Sequence, residues 1–151
     1  MNPNPHFRDL LNLLNGLNAE YLIVGGYAVM LYSEPRHTKD LDIWVNANPE
    51  NAQRVFHALA EFGAPLAGVK AGDFEKPDLI YQLGMPPSRI DVLTSIMGVQ
   101  FADAWARRKE ALFGGVRAPF IGLEDLLRNK WSVGRKTDLA DIERLEEANS
   151  G

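Results

Sequence analysis

The chemistry in this sequence begins with three carboxylates. Asp40 and Asp42 flank Leu41 at the head of an apolar run that ends at Val45. Side chains of a strand alternate between faces with period two, so both carboxylates point the same way while Leu41 and Ile43 face the core. Two like charges held on one face repel and shed hydration, which a bound cation explains best, and oxygen ligands of this kind suit magnesium. Asp91 stands inside a second apolar run, Arg89-Ile90-Asp91-Val92-Leu93. There it either completes the ligand set or accepts a proton from an attacking hydroxyl. A plainer arrangement accounts for the same residues: Asp40 in a loop, Asp42 on a solvated strand face, and Asp91 paired with Arg89.

Gly25 and Gly26 follow the apolar run Tyr21 to Val24 and precede the helical composition of Tyr27 to Tyr32. Glycines at a strand-to-helix turn let phosphate oxygens approach backbone N–H groups at the positive end of the helix, although such a pair also serves as a simple turn. Arg36, His37 and Lys39 lie in the polar segment before the aspartates, and Arg36 and Lys39 are candidate nucleotide contacts. Lys130 and Arg135 sit near a helix end, where the dipole favours cations, and Asp138 falls in the first turn of the next helix.

These residues need elements to hold them. Leucines at positions 10, 11, 13, 14 and 17 recur at helical spacing, predicting an amphipathic helix from Phe7 to Leu17. Strands are expected at Tyr21 to Val24, Leu41 to Val45, Leu79 to Leu83 and Arg89 to Thr94, the last two joined by Gly84-Met85-Pro86-Pro87. A helix opened by Asn48 or Pro49 should run to about Phe62 before Gly63 and Pro65 end it. Helical patterns then occupy Phe101 to Leu112, Leu123 to Val133 and Thr137 to Ala148, with Thr137 as N-cap. Glycine, proline and charge dominate residues 64–77, which carry no motif. Strands mixed with helices early and helices alone late predict an α+β fold, a small mixed sheet flanked by helices.

The 151 residues, 46% hydrophobic and 24% charged, suffice for one core, so a single domain over 1–151 is expected, with its core at about 19–95 and a helical C-terminal part at about 100–149. A net charge of -4 argues against a surface tuned to phosphate neutralisation along nucleic acid. The absence of cysteine removes disulfides, thiolate zinc sites and cysteine nucleophiles. No segment reaches membrane-spanning length and the first residues have no signal-like apolar stretch, so no membrane partner and a cytoplasmic location are expected. No Gly-Lys-Ser/Thr of a P-loop occurs, and the basic residues before Asp40 do not suit an aspartate-nucleophile phosphatase, whose aspartates follow an apolar strand.

Val24-Gly25-Gly26, then Thr38-Lys39-Asp40-Leu41-Asp42-Ile43, then Asp91, resembles the glycine motif, paired aspartates and third carboxylate of the DNA polymerase beta superfamily. Within it, Gly25-Gly26-Tyr27-Ala28 with the segment from Glu34 to Asp42 is similar to small bacterial nucleotidyltransferases of the AbiEii toxin group and their uncharacterised relatives. Leu126 to Lys130 and Arg135 to Asp141 are similar to that group's later motifs. The likeness spans about Tyr21 to Leu145. It implies the polymerase-beta-type nucleotidyltransferase fold and transfer of an NMP from an NTP to an acceptor hydroxyl, with pyrophosphate released by a two-magnesium mechanism. Asp40, Asp42 and Asp91 would be the catalytic and metal-holding residues, with Mg2+ or Mn2+ as cofactor. Gly25, Gly26, Lys39, Lys130, Arg135 and Asp138 would form the nucleotide side, Lys130 on phosphate and Asp138 in support. Many superfamily members have Gly-Ser where this chain has Gly25-Gly26, so the hydroxyl that could assist at the phosphates is missing from position 26. The acceptor is left open among an RNA 3' end, a protein hydroxyl and a small-molecule alcohol. The alternative is an inactive module of the same fold that senses nucleotide or serves as a toxin-antitoxin protein partner.

Overall fold

The computed structural model describes residues 3–38, 40–85 and 88–150. Its first helix, α1 (Pro5–Gly16), begins where the Asn4 side chain accepts the His6 N–H at 2.8 Å. It buries Phe7, Leu10, Leu11 and Leu14, the stripe that helical spacing demands. The fully buried β1 (Tyr21–Val24) feeds directly into α2 (Gly25–Tyr32), so the two glycines are the first residues of that helix. Residues 34–38 form no helix or strand, and the chain then enters β2 (Leu41–Val45) and α3 (Pro49–Phe62). Asn48 caps α3 by accepting the Asn51 N–H, and Gly63 closes it in the left-handed conformation at φ 89°, the usual economy of a glycine after a helix.

A 3-10 turn over Ala71–Glu75 occupies the stretch that carried no motif, and its buried Phe74 meets Tyr81 edge to face. Strands β3 (Ile80–Leu83) and β4 (Ile90–Leu93) follow, then the short helix α4 (Phe101–Ala106). Pro86 and Pro87 of the expected turn between β3 and β4 lie outside the described residues.

The expected helix from Phe101 to Leu112 is corrected here. It stops at Ala106, and the chain instead forms the hairpin β5 (Lys109–Phe113) and β6 (Val116–Phe120). Alanine, arginine, lysine and glutamate between Ala104 and Ala111 favour a helix locally. Gly114 and Gly115, both at positive φ, make the tight turn that a two-residue hairpin requires. Parallel pairing of β6 with β1 at Ile23 and Phe120 then buries Ala118, Phe120 and Ile121 completely. The "helices alone" expectation for the last third therefore fails in this stretch, and the sheet extends beyond the anticipated 19–95 core.

The remaining helices are α5 (Leu123–Val133) and α6 (Lys136–Ala148). Thr137 does not cap α6. Arg135 holds that position, and its N–H donates to the Asp138 carboxylate at 3.1 Å.

The sheet order is β3-β4-β2-β1-β6-β5, with β2/β4 and β1/β6 parallel and the other neighbours antiparallel. The expectation of a small mixed sheet with helices holds. Leu41, Ile43, Val45, Ile90 and Val92 share one buried face, and α3 packs against β2 and against the 3-10 turn. Asp42, Trp44, Asp91 and Leu93 share the other face, where α4 brings Phe101 edge to face with Trp44 at 5.0 Å between centroids. The carboxylate face is thus dry at one end and polar at the other. Among the described residues no helix is long and apolar enough to cross a membrane.

Candidate active site

Register sets the carboxylates. Strands β2 and β4 run parallel with Asp42 opposite Asp91, while β1 runs antiparallel to β2 with Val24 opposite Asp42. The end of β1 therefore delivers Gly25 against the Asp42 side chain. A β-carbon on Gly25 would lie 2.2 Å from Asp42 Oδ2, and Gly25 has φ +68°. Both the close approach and the left-handed backbone exclude a side chain there. The α2 N-cap is Val24, which provides no side-chain hydrogen bond, so among the described residues the first-turn N–H groups of this helix lack an N-cap side chain beside the carboxylates.

Asp40 sits just before β2, half-exposed, and not in the strand itself. Arg89 joins it to Asp91. The guanidinium donates from Nη2 to Asp40 Oδ2 at 3.0 Å and from Nε to Asp91 Oδ1 at 3.1 Å, with a longer Nη2 contact of 3.4 Å to Asp91 Oδ2. The Leu41 N–H donates to the Arg89 carbonyl at 3.0 Å, which fixes the arginine's strand beside the aspartates. The plainer pairing of Asp91 with Arg89 is therefore present, together with Asp40.

Burial, then the neighbouring charges of Asp91 and Asp40 and a hydrogen bond shared with Asp91, push the Asp42 carboxyl up to about 6, and Arg89 offsets only part of this. A carboxylate so placed gains more from a nearby cation than an exposed one would. Among the described residues no three acidic or histidine side chains are gathered into a ready-made metal-binding group. With Arg89 between Asp40 and Asp91, the donor set is all-oxygen, suits a hard divalent cation in chemistry, and carries its own positive charge.

A second cluster lies where α5 and α6 pack together. Lys130 is buried, and its Nζ donates to Asp138 Oδ1 at 3.3 Å and Asp141 Oδ2 at 3.0 Å. Arg135 Nε donates to Asp138 Oδ2 at 2.7 Å, and Arg36 Nη1 donates to Asp141 Oδ1. The result is an alternating row, Arg36, Asp141, Lys130, Asp138, Arg135. The Arg135 hydrogen bond holds the Asp138 carboxyl below its ordinary value against the opposing effect of burial. Burial would raise that of Asp141, but Arg36 and Lys130 together hold it low.

The two clusters meet at Gly26. A β-carbon there would lie 2.6 Å from Thr38 Oγ1 and 3.5 Å from Arg36 Nη2. Arg36 and Thr38 thus lie against the start of α2, with Asp141 anchoring the arginine. Lys39 lies outside the described residues. Of the residues expected at the nucleotide side, Gly25 and Gly26 adjoin the carboxylates. Lys130, Arg135 and Asp138 belong to the adjoining ion-pair row.

Three participants were not assigned in advance. Arg89 entered only as a partner for Asp91, although its i, i+2 spacing in a strand already places both on one face. Asp141 closes a motif with Asp138 at i, i+3, which puts both on one side of a helix. Thr38 carried no signal beyond its place in the motif, because its position over Gly26 depends on tertiary packing.

A family model described as a nucleotidyltransferase of unknown function (DUF6036) matches residues 7–149. No curated protein matches the chain in sequence. The lincosamide antibiotic adenylyltransferase LnuA, solved with lincomycin bound, is similar in structure at a TM-score of 0.63 and 17% identity, over 98% of this chain and 99% of that one. ANT(2'')-Ia in complex with adenylyl-2''-tobramycin is similar at 0.60 and 15% identity, over 94% and 86%. An antigenic nucleotidyltransferase-like protein from Paracoccidioides brasiliensis gives 0.56 and 19% identity, over 93% and 72%. At these identities the likeness is one of fold, that of the polymerase-beta-type nucleotidyltransferases.

Proposed function

The chain belongs to the nucleotidyltransferase family DUF6036, and we propose that it transfers an NMP from an NTP to an acceptor hydroxyl with release of pyrophosphate. The observation that carries this reading is Asp42 placed opposite Asp91 and against the Cα of Gly25. A carboxylate pair and an uncapped helix start in one place can serve a cation and a phosphate together.

In this reading Asp40, Asp42 and Asp91 would hold two magnesium or manganese ions. When bound, these would neutralise the triphosphate and lower the pKa of the acceptor hydroxyl. The backbone N–H groups at Gly25 and Gly26 bind the β- and γ-phosphates and orient the α-phosphate for in-line attack. Arg36, held by Asp141, adds positive charge on that side, and Lys130 sets the position of Asp141. Lys130, Arg135 and Asp138 are thus assigned to supporting the nucleotide side through this ion-pair row. Asp91 accepts the acceptor's proton at a carboxylate oxygen, which requires Arg89 to loosen its grip on both Asp91 oxygens. The acceptor oxygen then bonds to the α-phosphorus as the bond to the bridging oxygen of pyrophosphate breaks.

The structural neighbours LnuA and ANT(2'')-Ia are antibiotic adenylyltransferases by their descriptions or bound molecules. They favour a small-molecule alcohol as acceptor over an RNA 3' end or a protein hydroxyl. The ion pairs from Arg89 to Asp40 and Asp91 favour a second reading, a nucleotide-sensing or toxin-antitoxin module in which the arginine replaces the cation for good. Calorimetric titration with each NTP, with and without magnesium, separates the two readings. The transferase reading expects magnesium-dependent binding that Asp40→Ala with Asp42→Ala abolishes. Binding that ignores both magnesium and the double substitution would favour the sensor.

A further inference from the structure

Position 26 has no side chain, yet the space beside it is filled by a hydroxyl. A β-carbon on Gly26 would lie 2.6 Å from Thr38 Oγ1 and 3.3 Å from Thr38 Cβ. A residue at 26 and the threonine at 38 therefore compete for one volume, and this chain gives it to the threonine. Gly26 is the second residue of α2, whose N-cap Val24 makes no side-chain cap hydrogen bond. A hydroxyl there can donate to the same ligand oxygen that the first-turn N–H groups would bind.

The hydroxyl is also held in place. Thr38 lies two residues beyond Arg36, whose guanidinium is paired with Asp141 and comes within 3.5 Å of the same virtual β-carbon. On the other side Asp40 is bound to Arg89 at 3.0 Å. Arg36 and Asp40, two residues before and two residues after Thr38, are thus each held by an ion pair.

We propose that the Thr38 hydroxyl is a donor to the terminal phosphates of the bound NTP, occupying the place that the missing side chain of Gly26 leaves open. This rests on the transferase reading and adds to it a residue that selects triphosphate over monophosphate. Gly26 is then a glycine chiefly because Thr38 needs the room.

The test uses four variants of the full chain, Thr38→Val, Thr38→Ser, Gly26→Ser, and Thr38→Ala with Gly26→Ser. Each is titrated calorimetrically with the NTP that wild type binds best and with the corresponding NMP, in magnesium. Thr38→Val keeps the shape and removes only the hydroxyl, so a thermal midpoint close to wild type will show that it folds. It should weaken NTP binding about tenfold or more, as expected for loss of one hydrogen bond to a charged group, and leave NMP binding unchanged. Thr38→Ser should bind as wild type does. Gly26→Ser alone should weaken NTP binding through the collision with Thr38, whereas the double variant, which moves the hydroxyl to position 26, should regain affinity over Thr38→Val. Wild-type NTP binding with an unaffected Thr38→Val overturns the threonine's role alone. Equal loss for NTP and NMP also overturns it, since it would mark a structural role. Failure of wild type to bind any NTP overturns the proposal together with the transferase reading.

Discussion

Replacing Asp42 by asparagine should stabilise the metal-free protein at neutral pH while destroying nucleotide-dependent function. The Asp42 carboxyl is pushed from 3.8 up to about 6 by burial and by Asp91 and Asp40. A raised value means that the native state binds the proton more tightly than the unfolded chain. Below pH 3.8 both states are protonated at this group and it costs nothing. Between 3.8 and 6 the unfolded state ionises first and stability is lost, and above 6 the whole penalty is present. At about 1.36 kcal/mol per pH unit, the gap comes to about 3 kcal/mol at most, because Asp42 is only partly buried and solvent screens some of it. Asparagine keeps the shape of the protonated acid and avoids the penalty. For a chain of this size the gain is roughly 6–12 °C in thermal midpoint. The assay is thermal and urea denaturation of wild type and Asp42→Asn in EDTA across pH 4 to 8. The two should converge toward the acid end, part between pH 4 and 6, and keep a constant difference above pH 6. Added magnesium should narrow the gap by raising the wild type alone, through binding to the native state. A variant that is less stable than wild type at pH 7.5, or a difference that does not close between pH 6 and 4, would refute the claim that Asp42 is under electrostatic strain.

Gly25→Ala forces a β-carbon toward Asp42 Oδ2 at a backbone φ of +68°. The left-handed backbone alone costs about 1–2 kcal/mol, so the urea midpoint should fall and magnesium-dependent NTP binding should vanish; a variant matching wild type in both would show that α2 can re-form around the methyl group. Lys130→Met leaves Asp138 and Asp141 buried without their shared cation, at a cost of about 3–5 kcal/mol, with Arg36 and Arg135 keeping it near the lower figure. Chemical denaturation at pH 7 measures it, and a loss under about 1 kcal/mol would mean that the two arginines suffice.

How far the site could be read from sequence depended on the distance over which each interaction acts. The alternation around Asp42 and Asp91 is local, so the shared face could be anticipated; their direct opposition requires the parallel pairing of β2 and β4, which no local pattern states. Helix α5 matched its expected bounds from Leu123 to Val133 because apolar spacing and the glycines at each end agree. The β5-β6 hairpin was missed because residues 104–112 have good helix propensity, and only pairing with β1 decides against it. The Gly114-Gly115 pair that turns the hairpin lies just beyond the expected helix and was not read as a turn. The contacts of Arg36 and Thr38 depend on where a polar segment folds back over α2, so their residue types could be noted but not their partners.

The bond from Arg36 to Asp141 spans 105 residues. Contacts so distant in sequence form only after the intervening chain has been ordered, because the entropy of closing the loop must be spent before the ion pair repays it. The hairpin and α5 lie between the two partners, and Asp141 itself belongs to α6. Along the folding route the carboxylates of β2 and β4 can therefore come together while the segment carrying Arg36 and Thr38 is still free. Competence to hold a nucleotide would be among the last properties this chain acquires, and among the first it loses when α6 frays.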